Sequence, residues 1–335
     1  MPRLTLQVPS DYSLVRDCCS YGYFLLAPNR WDVVSQSLSR VLTLPERSVF
    51  AVVNQPGGAG SALRVVVWPD EVALSAAERA AIREALTRML RLDEGVEALR
   101  AFHRLDPRWK KSGRGRLFRS PSMFEDVIKT VTNCNVTWHG TVQMNRHICE
   151  ALGPRVKFTV RGIERTEYGF PSAKKVASTR VQTLRARCRV GYRDARIVEL
   201  GKLFAKPPGK GGFDQAMAAD PVTPDDVVRE ALIDLPGIGP YAAANILQLL
   251  GRFGHLPLDT ESVRHGTTVL KFRGSSKAIM ERVQRHFAPF GEHAFRSYWF
   301  ELWEFYESKL GPAHLWERDS TGKMFTAALL NKVSL

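Results

Sequence analysis

Cysteine is scarce and unpaired in this 335-residue sequence: Cys18, Cys19, Cys134, Cys149 and Cys188 make five, and none stands in a C-x-x-C grouping. An odd set without paired spacing argues against a disulfide framework and supplies no zinc or iron–sulfur ligand set, so no structural metal is expected. The eight histidines show no metal-ligand spacing either; His139, His147 and His265 read as solvent-facing or phosphate-contacting residues. Long apolar runs are also missing. Nothing approaches the roughly 18 consecutive apolar residues of a membrane span, and the first twenty residues hold no uninterrupted apolar segment of the secretory kind. An intracellular protein is therefore expected, in the cytoplasm and nucleoid, or in the nucleus of a eukaryote. Acid is in short supply. The 48 Lys and Arg exceed the 34 Asp and Glu by 48 − 34 = 14, a surplus that fits a polyanionic partner, with an acidic membrane and solubility alone still open. With 44% hydrophobic residues the chain is too apolar to be a disordered basic tail.

The length suggests about two domains. Residues 4–70 contain short β-prone runs, LTLQV, YGYFLL, SVFAVV and LRVVVW, separated by turn-forming stretches such as NQPGGAGS, so a β-rich N-terminal unit is expected. Ser75 with Glu78 three residues on has the form of a capping box opening a helix through AAERAAIREALTRMLRL. Residues 100–119 carry eight Lys/Arg against one Asp and read as a mobile basic linker or a phosphate-contacting edge. Beyond residue 122 the apolar periodicity is helical, interrupted by KPPGKGG at 206–212, which predicts an exposed loop. A weak apolar helix pattern, MFTAALL, lies in the tail.

The most informative segment is 232–263, LIDLPGIGPYAAANILQLLGRFGHLPLDTESV. Gly237 and Gly239 permit a tight turn between two helices and leave backbone N–H groups uncovered at the start of the second, where the helix dipole favours an anion. Pro240 suits the first turn of that helix. An ordinary αα-corner with a C-capping glycine is the alternative. Asp259 stands before a helical ESVRHG and would by itself be a helix cap. After a phosphate-binding hairpin in a basic protein it can instead face a nucleotide sugar and stabilise positive charge there as a base departs.

These segments resemble the helix-hairpin-helix DNA glycosylase superfamily, marked by LPGxG, a helix, a short turn and an aspartate in the setting found here as LPLDTESVR. Asn133-Cys134-Asn135-Val136 is similar to the turn that fills the gap left by an extruded nucleotide. GFPS at 169–172, VGYR at 190–193 and FAPFG at 287–291, followed by an aromatic helix, resemble further landmarks in the same order. The resemblance implies an α+β protein, mainly α-helical, with an N-terminal β-rich α+β domain over 1–112, a helical domain with the gap-filling turn over 113–230, the hairpin, aspartate and pocket helix over 231–316, and a tail over 317–335.

It further implies that Asp259 is catalytic, that Gly237, Gly239, Asn133 and Asn135 contact DNA, and that Trp138, Tyr241, Phe295 and Trp299 border the base pocket. Bifunctional members carry a Lys two residues after the second hairpin glycine, where this chain has Tyr241, so a monofunctional enzyme leaving an abasic site is implied. The aromatic pocket helix favours an electron-poor alkylated purine such as 3-methyladenine, whereas GFPS and GYR lean toward the 8-oxoguanine branch. Glycosylases for hypoxanthine or uracil and a non-catalytic DNA-binding module remain alternatives. No cofactor is implied, although the hairpin of such proteins can hold a sodium or potassium ion through backbone carbonyls. The expected partner is double-stranded DNA with a damaged base, bound by a monomer and with no membrane, through a cationic face shared by the hairpin and residues 108–119.

Overall fold

The computed structural model describes residues 2–71 and 73–324. Residues 325–335, which hold nearly all of the MFTAALL pattern, lie outside the described residues.

Five antiparallel strands, β1 (Arg3–Leu6), β2 (Arg30–Asp32), β3 (Ser37–Thr43), β4 (Ser48–Asn54) and β5 (Leu63–Trp68), form a sheet in the order β1-β5-β4-β3-β2. Alternation in β4 and β5 buries Val49, Ala51 and Val53 with Leu63, Val65 and Val67, so one face of the sheet joins the core. One expected strand is absent and one unexpected strand is present. YGYFLL is not a strand: residues Gly22–Leu25 make a 3-10 turn, because this buried aromatic run packs on helices and pairs with no strand. Conversely, β3 was hidden because its polar Ser39 and Arg40 are themselves buried, which erases the alternation that marks a strand.

Ser75 caps α1 (Ala76–Leu90) in a reciprocal box with Glu78. Next come α2 (Val96–Leu105), α3 (Met123–Asn133) and α4 (Trp138–Leu152). A two-stranded ribbon of β6 (Arg155–Val160) and β7 (Ile163–Tyr168) interrupts the helical region. Its alternating Val156 and Phe158 stand on the sheet side, with Phe158 stacked on Phe50 at 4.9 Å. The chain continues through α5 (Asp194–Ala205), α6 (Asp225–Ile233), α7 (Pro240–Leu250), α8 (Thr260–Thr268), α9 (Ser276–Phe287) and α10 (Ala294–Leu310). The 206–212 segment is an exposed turn.

Two apolar cores result. One joins the sheet and α1 to Phe287 of α9 and to Phe295, Tyr298, Phe300 and Trp303 of α10. The other gathers Phe124 and Ile128 of α3, Ile148 of α4, Ile197 of α5, Leu232 of α6 and Ile246 of α7. Buried ions join the β-rich unit to the second core, since Arg40 on β3 and Lys129 on α3 both pair with Glu125, at 2.9 and 2.7 Å.

The basic stretch 100–119 is not a mobile linker: it begins within α2 and most of its later arginines are paired, while Arg104, Lys110 and Lys111 stay exposed. Arg108 pairs with Asp106 and Glu301, Arg114 with Glu307, Arg116 with Asp11, and Arg119 with Asp93. Arg116 and Arg119 are buried and also donate to the carbonyls of Glu94, Arg88 and Leu249. An arginine fork can satisfy several carbonyls and a carboxylate at once, so these cations fasten the chain between the units.

Candidate active site

The hairpin is formed by α6, a turn and α7. Gly237 takes φ +80°, where a Cβ would fall 2.7 Å from Arg196 Cδ. Gly239 is the exposed N-cap of α7, and Pro240 takes its first position. Leu235 and Ile238 are buried beneath the turn, so its backbone faces outward at a helix N-terminus, as an anion site requires. Leu235 N donates to Leu232 O and Ile238 N to Leu235 O, which closes the turn. Among the described residues no group of three or more His, Cys, Asp or Glu could hold a metal ion.

After α7 the chain returns through residues 251–258 to Asp259, the N-cap of α8. Glu261 N and Ser262 N donate to Asp259 Oδ1 at 2.9 and 3.1 Å, and Asp259 N donates to Ser262 Oγ at 3.2 Å. The carboxylate is thus the helix cap that its position in the sequence suggests, and it also lines a cavity of about 310 Å³. Burial pushes its pKa up to about 6; Glu261 adds to the rise, while the two amides and the Tyr241 phenol oppose it. Near neutral pH such a group can change protonation.

The cavity lies at the seam of the two cores. Trp138, Tyr241 and Trp299 line it, together with Asn133, Tyr298, Trp303, Tyr306 and Glu261. Phe295 does not: it is fully buried behind Trp299, its ring stacked there at 5.8 Å and 9°. The turn of α10 that brings Trp299 to the wall points Phe295, four residues earlier, into the core. The N-terminal unit supplies a further wall, one with no motif to mark it. Tyr21, Gly22, Tyr23 and Leu25 line the cavity, the Tyr21 ring lies 4.7 Å from Trp299, and Trp299 Nε1 donates to Ser20 O at 2.8 Å. A Cβ on Gly22 would fall 2.9 Å from Trp138, so glycine lets that indole lie close. Tyr21 donates to Asn245 Oδ1 at 3.2 Å, which ties this wall to α7.

Asn133 ends α3 and accepts from Thr141 Oγ1 at 3.2 Å, whereas Asn135 is exposed on the following turn at φ +51°. Buried Arg193 holds that turn by donating to the carbonyls of Val131 and Cys134. The adjoining Tyr192 is 52% exposed, with Arg193 and Arg196 against its ring at 4.4 and 5.3 Å and Asn135 Nδ2 at 3.5 Å from its hydroxyl. Through Arg196 this surface reaches Gly237. Residues 169–193 hold seven Lys/Arg and no Asp or Glu, and Lys174, Lys175, Arg180, Arg187 and Arg189 are exposed. These exposed cations add to Arg104, Lys110 and Lys111, which are exposed in 100–119. His265 is buried, its Nε2 2.8 Å from Glu301 Oε1, which corrects its expected exposure. His139 is exposed and His147 half-buried.

No protein-family model and no curated protein sequence matches the chain. Solved structures do. The 3-methyladenine DNA-glycosylase from Archaeoglobus fulgidus aligns at 21% identity over 91% of this chain and 98% of its own, with a TM-score of 0.62. MBOgg1 in complex with a low-affinity DNA ligand aligns at 16% identity over 91% and 96%, with a TM-score of 0.65. The chain has the helix-hairpin-helix DNA glycosylase fold. The apo 8-oxoguanine glycosylase/lyase of Clostridium acetobutylicum shares this glycosylase fold at 15% identity over 90% of this chain and 96% of its own, with a TM-score of 0.63. Tyr241, two residues beyond Gly239, lines the same cavity as Asp259. Among the described residues no helix is long and apolar enough to cross a membrane.

Proposed function

We propose that the protein is a monofunctional DNA glycosylase of base excision repair, acting as a monomer on double-stranded DNA, with an alkylated purine such as 3-methyladenine as its preferred base. The observation that carries this reading is the raised, half-buried carboxylate of Asp259 in an aromatic cavity whose wall includes no lysine. Exposed cations of 174–196 neutralise phosphates, and the hairpin amides of Gly237 and Gly239 grip the backbone beside the lesion. Asn135, at the exposed tip of its turn, enters the vacated stack, and Asn133 supports that turn from the cavity side. The extruded base then stacks among Trp138, Tyr241 and Trp299, at an unstacking cost of about a few kcal/mol that is lower for a damaged base.

The bond from the sugar's anomeric carbon to the base breaks with both electrons going to the base. Ionised Asp259 stabilises the positive sugar, orients a water molecule and takes its proton as the new C–O bond forms. An abasic site and a free base are the products. Tyr241 stands where a lysine would form an imine, and a phenol cannot.

A panel of duplexes, each with one lesion, treated with the protein and then with hot alkali, tests the reading. Cleavage at 3-methyladenine, lost in Asp259→Asn with duplex affinity retained, is the expected result. Release of 8-oxoguanine, hypoxanthine or uracil without 3-methyladenine would replace the substrate. Undiminished function in Asp259→Asn would leave a DNA-binding module.

A further inference from the structure

Two carboxylates face the cavity, and the mechanism uses one. Glu261 lines the wall two residues beyond Asp259, in the first turn of α8. Its Oε2 accepts from Arg264 Nε at 2.8 Å and from the Tyr306 hydroxyl at 2.5 Å, so the side chain is fixed from α8 and from α10. Arg264 is not part of the wall; its guanidinium lies over the Phe305 ring at 4.3 Å. The glutamate therefore stands between that cation and the cavity. No Lys, Arg or His is among the wall residues, which include eight aromatic side chains. Glu261 lies close enough to raise the proton affinity of Asp259, and a cation entering the cavity meets both carboxylates.

We propose that Glu261 is the specificity-determining residue of this cavity, and that its carboxylate selects purines carrying a formal positive charge over neutral purines of similar size. The inference rests on the base-binding role assigned above to the cavity. Carboxylate attraction and the π faces act on the same ligand in a partly desolvated space, where a unit charge matters more than in water. A purine alkylated at N3 or N7 and still joined to its sugar carries that positive charge. When the glycosidic bond breaks, its electron pair moves onto the purine and neutralises the ring, so the attraction that admits the substrate disappears with the product, and release is eased.

Free nucleosides separate this inference from catalysis. Binding of 1-methyladenosine, cationic at neutral pH, and of inosine, neutral, is read by tryptophan fluorescence, since Trp138, Trp299 and Trp303 line the cavity. The unaltered protein should prefer 1-methyladenosine by at least about tenfold. Glu261→Gln keeps an oxygen for Arg264 and Tyr306 and should reduce the preference to within about twofold. Tyr306→Phe removes the anchoring bond but keeps the charge, and should keep the preference. Equal binding of the two nucleosides by the unaltered protein, an unchanged preference in Glu261→Gln, or a loss in Tyr306→Phe equal to that in Glu261→Gln would overturn the proposal. A retained nucleoside preference in a protein that releases no base from any duplex would support the role of Glu261 and overturn the glycosylase reading alone.

Discussion

Ser262 N donates to Asp259 Oδ1 at 3.1 Å, so the carboxylate that faces the cavity is also the residue that opens α8. Capping spends one oxygen on the backbone and leaves Oδ2 outside the cap. The orientation of the acid is thereby set by a helix end and not by a mobile side chain. Tyr298, hydrogen-bonded to Ser262 Oγ at 3.0 Å, holds the same helix end against α10.

The raised pKa of Asp259 makes a prediction with a definite sign. Its folded value of about 6 lies above the ordinary aspartate range, so folding favours the protonated form. The associated stability is full below pH of about 4 and is lost as pH rises through about 6. Asp259→Asn keeps the cap and should be more stable than the unaltered protein by about 1–3 kcal/mol at pH 8, with no gain near pH 4. Urea unfolding at the two pH values measures this. Base release should follow the opposite course, falling as pH drops below about 6, and Asn should lower it by about 10²–10⁴-fold.

Tyr241 can be tested by giving the cavity the amine it lacks. Borohydride should trap no covalent protein–DNA adduct with the unaltered protein. Tyr241→Lys places an amine on the cavity wall, and adduct on a denaturing gel is expected, with base release slower because an aromatic wall is lost.

Gly237 is held at φ +80° with Arg196 against it. Gly237→Ala should cost about 1–2 kcal/mol of stability and displace Arg196 from the hairpin surface. Duplex affinity by fluorescence anisotropy should fall by about tenfold, and its salt dependence should flatten if a phosphate contact goes with it.

The buried ions at the unit boundary are the fourth test. Burial alone would raise the Glu125 pKa, but Arg40 and Lys129 outweigh it and hold the carboxyl at about 2. The stability this contributes is present above the ordinary glutamate range and is lost as pH falls toward about 2. Arg40→Ala should cost about 3–5 kcal/mol at neutral pH, because it leaves a buried pair broken, and should bring acid unfolding to higher pH. Denaturant melts from pH 7 downward check both.

The hairpin and the cap of α8 were legible because each depends on a few local residues whose backbone chemistry is nearly independent of context: Gly237, Gly239, Pro240 and Asp259. Strand β3 was not, because Arg40 is buried by a partner 85 positions away, Glu125. The pairing of the arginines in 100–119 is illegible for the same reason. A run of cations has the same composition whether it faces solvent or meets Asp93, Glu301 and Glu307 from distant parts of the chain. Phe295 and Trp299 share one helical face by spacing, yet a stack of two rings has a front and a back, and only three-dimensional packing says which is which. Tyr21 and Tyr23 carried no functional signal, since an aromatic run in a β-rich unit looks like core.

The bond from Trp299 to Ser20 also constrains how such a chain can change. A wall built jointly by residues 21–25 and by α10 makes two distant segments of the polypeptide co-authors of one enclosure. Replacing the β-rich unit with that of a distant relative would bring together two half-walls shaped for other partners. The unit therefore cannot be exchanged as a module without refitting the cavity, and substitutions in its 21–25 turn should reshape what the cavity accepts while leaving the hairpin and Asp259 untouched.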